Sequence, residues 1–201
     1  MRNQAALAVL AIASLCAAQT PDPGTATKTY HSDALNLDFT YPASFSAKST
    51  VDDSPDANCI TVPIELTDMR TGFNLISLRQ YDEGCLKKKD APSIALGPTA
   101  NSFLNDSLSR LGKPVMNSSA NYYLAGHNAS TVSGMVKLSQ AGSQAIFGAV
   151  SCVSADKGVV CFQFLSNDCA GLMALSASTV KFLGAVVSPV IPIGIGTACK
   201  K

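Results

Sequence analysis

Charge of either sign is scarce in this 201-residue sequence, with 15 lysines and arginines against 14 aspartates and glutamates. A nucleic-acid binder needs a basic footprint and a peripheral membrane binder a basic face toward anionic lipid, so the balance argues against both. Histidine is nearly missing too: only His31 and His127 occur, far in sequence from any cysteine, and no two cysteines stand at C-x-x-C spacing. That pattern argues against a zinc site, and neither a metal nor another cofactor is expected. Serine-enzyme signatures are absent: there is no G-x-S-x-G elbow, and the two S-x-x-K spacings, Ser154 to Lys157 and Ser178 to Lys181, have no S-D-N or K-T-G partners. The sequence also lacks internal repeats and low-complexity segments.

What is present begins with an N-terminal address. Arg2 is followed by an apolar run from Ala5 to Leu15 and then by Cys16-Ala17-Ala18, small residues suited to signal peptidase. This predicts a signal peptide over residues 1–18, cut after Ala18, and a secreted or periplasmic protein. The run is shorter than the roughly 20 apolar residues a spanning helix needs, so no integral membrane span is expected in the mature chain. Cys16 raises lipidation as a rival, but Leu15 stands where that cut wants a small residue. Residues 19–27, polar and rich in Pro, Gly and Thr, read as a disordered leader.

Loss of Cys16 leaves Cys59, Cys85, Cys152, Cys161, Cys169 and Cys199. An even count in an exported chain reads as disulfides, and six cysteines allow 15 pairings. Cys152 and Cys161 flank a strand, a glycine-containing turn and a second strand, which sets them opposite each other across a hairpin. Cys59 and Cys85 bracket two strand-like runs joined by a turn at Asp68 to Gly72. Cys169 with Cys199 is what remains, and would tie an extended tail over residues 185–201 to the domain.

Leu35, Leu37, Phe39 and Tyr41 alternate with polar neighbours, the period of a half-buried strand, and Pro42 ends it. Ser44 to Asn58 reads as a polar loop, followed by strands over Thr61 to Leu66 and Phe73 to Tyr81. Charge takes over from Glu83 to Ser93, and the Lys87-Lys88-Lys89 run reads as a solvated edge that discourages strand pairing. Phe103, Leu104, Leu108 and Leu111 recur at helical spacing after Pro98 until Gly112 and Pro114 stop them. Tyr122 to Leu124, Ser130 to Leu138, Ala145 to Val153 and Val159 to Leu165 are further strands. A final helix is expected from an N-cap at Asp168 through Leu172, Leu175, Thr179 and Phe182 to Gly184. The sum is one α+β domain over residues 28–184, an antiparallel sheet of six to eight strands with two main helices packed on it.

The strand end Leu37-Asp38-Phe39-Thr40-Tyr41-Pro42, with the Ser-rich segment Ser176 to Phe182 near the close, resembles the PsbP-like family of α/β/α sandwich proteins over about residues 28–184. The resemblance implies an extracytoplasmic binding or accessory protein, since better-known members attach to larger assemblies and do no chemistry. The six mature cysteines depart from that pattern, and fold analogy alone does not carry function.

Few residues invite a functional role. Asp52, Ser54, Asp56 and Asn58 space like the opening of a calcium loop, but Ala57 and Pro63 stand where its Gly and Glu belong. Tyr122 and Tyr123, adjacent on a strand, offer one ring inward and one outward, and with His127 they form a candidate binding surface. Asn105, Asn117 and Asn128 head N-x-S acceptors, relevant in a eukaryotic source. The expected function is an exported non-enzymatic binding or accessory domain for a protein or small molecule. Its competitor is a secreted hydrolase whose catalytic set comes from distant segments.

Overall fold

The computed structural model describes residues 26–49, 58–68, 73–90, 92–124, 126–138, 144–167, 180–182 and 185–187. Over these residues the protein is mostly antiparallel β-structure with two α-helices. Eleven strands run in chain order as β1 (Thr27–Ser32), β2 (Leu37–Pro42), β3 (Ser46–Ser49), β4 (Ile60–Asp68), β5 (Asn74–Asp82), β6 (Pro114–Leu124), β7 (His127–Lys137), β8 (Ala145–Ala155), β9 (Gly158–Ser166), β10 (Val180–Phe182) and β11 (Ala185–Val187). Helices α1 (Glu83–Lys88) and α2 (Leu96–Ser109) connect β5 to β6.

The large sheet has the order β3-β4-β5-β9-β8-β7-β6, and the small one β1-β2-β10-β11. The large sheet is therefore two meanders, β3-β4-β5 and β6-β7-β8-β9, paired where β5 meets β9. The chain leaves β5, crosses one face through the helices, starts again at the far edge, and works back hairpin by hairpin.

Both faces of the large sheet are covered. On one side Leu37, Phe39 and Tyr41 of β2 pack against Leu66, Ile76, Leu78, Phe162 and Phe164. On the other, Ala100, Phe103, Leu104 and Leu108 of α2 pack against Val132, Val136, Ile146, Val150 and Leu165. Helical spacing puts those four α2 residues on one stripe, and burial of that stripe holds the helix. Gly148 lets α2 approach, because a Cβ there would come 2.7 Å from Leu104 Cδ1 and 2.6 Å from Leu165 Cδ2. Gln163 donates to Ser107 Oγ at 2.7 Å, pinning the helix to the central strand.

Several expectations need correction. The sheet is two sheets, and among the described residues only α2 is a packing helix of any length; α1 has six residues and buries none of them. The charged segment after Glu83 forms α1 because the Asp82 carboxylate accepts the Cys85 amide, while Glu83 pairs with Lys87 at 3.0 Å one turn on. The lysine run thus lies on a helix end and not on a sheet edge. The loop from Ser44 contains strand β3. Pro114, expected to stop a helix, also opens β6, which a terminal strand tolerates. Val180–Phe182, assigned to the end of a helix, is strand β10 paired with β2. Thr27 already belongs to β1, one residue before the expected start. Residues 1–25, most of the segment after Asp168, Asp52 to Ala57 of the acidic loop, and Cys169 with Cys199 lie outside the described residues.

Candidate functional site: the cleft beside His31

Two disulfides staple the framework. Cys59 is joined to Cys85 with Cα atoms 5.5 Å apart, and Cys152 to Cys161, which face each other in the β8-β9 register. The first bridge ties the start of β4 to α1, and the adjoining Asp82 amide donates to the Cys59 carbonyl at 2.9 Å. The second is fully buried beneath α2.

Hairpin register sets His31 of β1 directly across from Asp38 of β2, and the short 3-10 helix Asp33–Leu35 folds Asp33 back onto the same ring. His31 Nδ1 lies 2.5 Å from Asp38 Oδ1, and Nε2 lies 2.9 Å from Asp33 Oδ1. An ionised carboxylate only accepts, so two of them favour the protonated ring, in which both nitrogens donate. Hydrogen bonding to Asp38, and next to Asp33, raises the His31 pKa above its ordinary value.

Beside the ring runs a cleft in two lobes that share Asp33, Leu35 and Gln80. One lobe, of about 340 Å³, is bordered by Tyr30, His31 and Thr61. The other, of about 200 Å³, is bordered by the β8-β9 hairpin tip at Asp156, Lys157 and Gly158. Leu35 and Val160 are apolar lining of this second lobe, and Asp33, Asp156 and Lys157 its charged lining. The borders are irregular backbone: β4 changes register between Thr61 and Ile64, and Asn36 takes the left-handed conformation at φ 47°. Bulges of this kind often re-aim side chains beside functional sites.

The three surface residues expected from sequence do not join this cleft. Tyr122 packs against the core between the sheets, and its hydroxyl donates to Ser151, which donates to Thr131, which donates to the Val150 carbonyl. Burial raises the Tyr122 pKa, with the Ser151 hydrogen bond opposing it. Tyr123 points the other way and is 78% exposed. His127 begins β7 across from Leu124. Ser154 donates to the Asn128 carbonyl, so its hydroxyl is spent on backbone.

The His31 pair is hidden in the sequence because β2 alternates buried and half-buried residues whereas β1, its hairpin partner, buries none. With Thr29-Tyr30-His31 taken as the partner strand, antiparallel register alone would set His31 opposite Asp38. Among the described residues no three His, Cys, Asp or Glu side chains are placed to hold a metal ion, and no helix is long and apolar enough to cross a membrane.

No family model matches the chain, and no curated protein matches it. Among solved structures it is similar to the solution structure of cyanobacterial PsbP (CyanoP) from Synechocystis sp. PCC 6803, at 13% identity and a TM-score of 0.47, over 70% of this chain and 79% of that one. It is also similar to PA94, a protein of unknown function from Pseudomonas aeruginosa, at 11% identity and a TM-score of 0.35, over 73% and 86% of the two chains. Likenesses this distant carry neither ligand nor role across.

Proposed function

We propose that this chain is an exported, non-enzymatic binding or accessory domain that takes a small polar ligand in the cleft beside His31. The observation that carries the reading is the His31 clamp at the rim of a cavity. A general base must offer a free ring nitrogen near its nucleophile. His31 has both nitrogens engaged by carboxylates, and its raised pKa lowers the share of free base that could accept a proton. The histidine nearest a cavity is thus built to fix a loop, and the secreted-hydrolase reading loses its best candidate.

The lining suits a small zwitterion with an apolar body. Asp33 would take an ammonium group, Lys157 a carboxylate, and Leu35 and Val160 the apolar body. Export is supported by the N-terminal apolar run and by the disulfides, which persist in oxidising compartments. On this reading residues 1–18 are removed, the domain spans residues 28–184, the tail that follows is tied to it by a bridge between Cys169 and Cys199, and no cofactor is carried.

Calorimetric titration of the exported chain with free L-amino acids, and with their N-acetyl amides, tests the reading. Free amino acids with apolar side chains should bind and the capped forms should not, and Asp33→Asn or Lys157→Met should each weaken binding about tenfold, the effect of roughly 1.4 kcal/mol. Turnover on a hydrolase substrate panel, abolished by His31→Ala, would overturn it.

A further inference from the structure

We propose that two copies of this chain join edge to edge through β6, each seating its Tyr123 in the other's groove between α2 and β6. The proposal starts from an edge without its usual protection. β6 is the last strand of the large sheet, and among the described residues its outer side has no strand neighbour. Sheet edges are normally blunted by charged side chains, proline or bulges. The 11 residues of β6 include no charge, and its two guards, Pro114 and the irregularity between Met116 and Ser118, both stand in its first half. From Ser119 to Leu124 the edge is regular and uncharged, and no described strand pairs with its outer side.

Tyr123 is the most exposed large apolar side chain among the described residues, at 78%. Register fixes where its ring goes. Asn121 faces Ser130 and Ser119 faces Val132, and Val132 belongs to the core beneath α2. Residues two apart share a face, so Ser119, Asn121 and Tyr123 all stand on the α2 side of the sheet. Along that side lies a groove of about 550 Å³ between Gly97, Pro98 and Asn101 of α2 and Ser119 and Asn121 of β6. Its lining is small and uncharged, fit for a phenol ring that brings its own hydroxyl.

Knob and groove lie on the same molecule, two residues either side of Asn121. In an antiparallel β6-β6 pair centred on Asn121, Tyr123 of one copy stands directly across from Ser119 of the other, on the face that carries the groove. The same contact repeats through the two-fold, so the interface is self-complementary and closes at the dimer. A second copy is favoured over another partner on charge: a foreign acidic or basic strand would find no counter-charge on this edge, whereas two copies bring no like charges together. The dimer would continue the large sheet through both molecules.

Sedimentation equilibrium of the exported chain, run up to ~0.1 mM, should give a mass twice that of the monomer. Tyr123→Lys should weaken association at least a hundredfold, since the ring is lost and an ammonium group would have to enter an uncharged groove. Val115→Lys, exposed on β6 but outside the paired stretch, should leave association unchanged. Facing side chains in such a pair have Cβ atoms about 5 Å apart, so Asn121→Cys should cross-link two chains on air oxidation whereas Val115→Cys should not. Circular dichroism identical to the parent shows that each variant folds. A monomer throughout the concentration range, a dimer indifferent to Tyr123→Lys, or a dimer seen only with a different protein added would each overturn the proposal.

Discussion

An imidazole between two carboxylates keeps its proton to higher pH than a free one, and His31 has Asp38 on one nitrogen and Asp33 on the other. The folded pKa is raised above the ordinary value of 6.5, so the folded chain binds the proton more tightly than the unfolded chain does. The contribution to stability is complete below the unfolded value and is lost as pH rises through the folded one. Replacing His31 with Gln should therefore lower the melting temperature most near about pH 5.5, with the gap to the parent closing toward alkaline pH. Melts at matched ionic strength across that range decide it, and a gap that widens with pH would contradict the clamp. A second single-residue test sits across the cleft. Gly158 follows the Asp156-Lys157 turn at φ +132°, and a Cβ there would strike the Tyr81 carbonyl. Gly158→Ala meets both backbone strain and a clash with a fixed strand, so a loss of about 3 kcal/mol or more is expected by urea unfolding.

At the scale of elements, the two bridges should not be equal. Cys59–Cys85 closes 26 residues and Cys152–Cys161 only 9. By loop-closure entropy they constrain the unfolded chain by about 3.5 and 2.6 kcal/mol respectively. Paired Cys→Ala replacement should thus cost more at Cys59 and Cys85 than at Cys152 and Cys161, and comparison of the two double variants by denaturation checks the order. The pairing of these four cysteines was legible because strands and turns bear on their spacing. β2 was legible for a different reason: only one of its faces is buried, so Leu37, Phe39 and Tyr41 alternate cleanly with polar residues. β9 has all nine residues buried and shows no alternation; only its β-branched and aromatic content marked it. Helix α1 has no apolar stripe at all and exists through an Asp82 cap, an ion pair and a disulfide, two of which need tertiary partners or exact boundaries to be seen. Phe182 fell on a helical period in the sequence, yet Val180 to Phe182 instead extend the small sheet along the edge of β2, a tertiary demand that local spacing does not encode. The cleft was the least legible feature, because His31, Gln80 and Lys157 come from three hairpins that meet only once both sheets are stacked.

For the whole molecule, what matters is that one sheet serves two cores. In β9, Val160, Phe162 and Phe164 face the small sheet while Cys161 and Leu165 face α2, so neither core can be lost without releasing a strand that the other needs. The chain should therefore unfold as a single cooperative unit despite its three layers. Phe39 and Phe103, each about fully buried, sample the two cores separately, and Phe103 also carries the Arg79 guanidinium 3.8 Å above its ring. Phe39→Ala and Phe103→Ala should each cost about 3–5 kcal/mol. The absence of tryptophan makes the experiment discriminating, because the fluorescence comes from five tyrosines and three of them, Tyr30, Tyr41 and Tyr122, report on the core between the sheets. Far-UV circular dichroism reports the backbone, including α2. In urea, both signals should move together in both variants, with midpoints lowered and slopes unchanged. If Phe103→Ala instead detaches the dichroism change from the tyrosine change, α2 is an independent layer and the shared-sheet account of the stability fails.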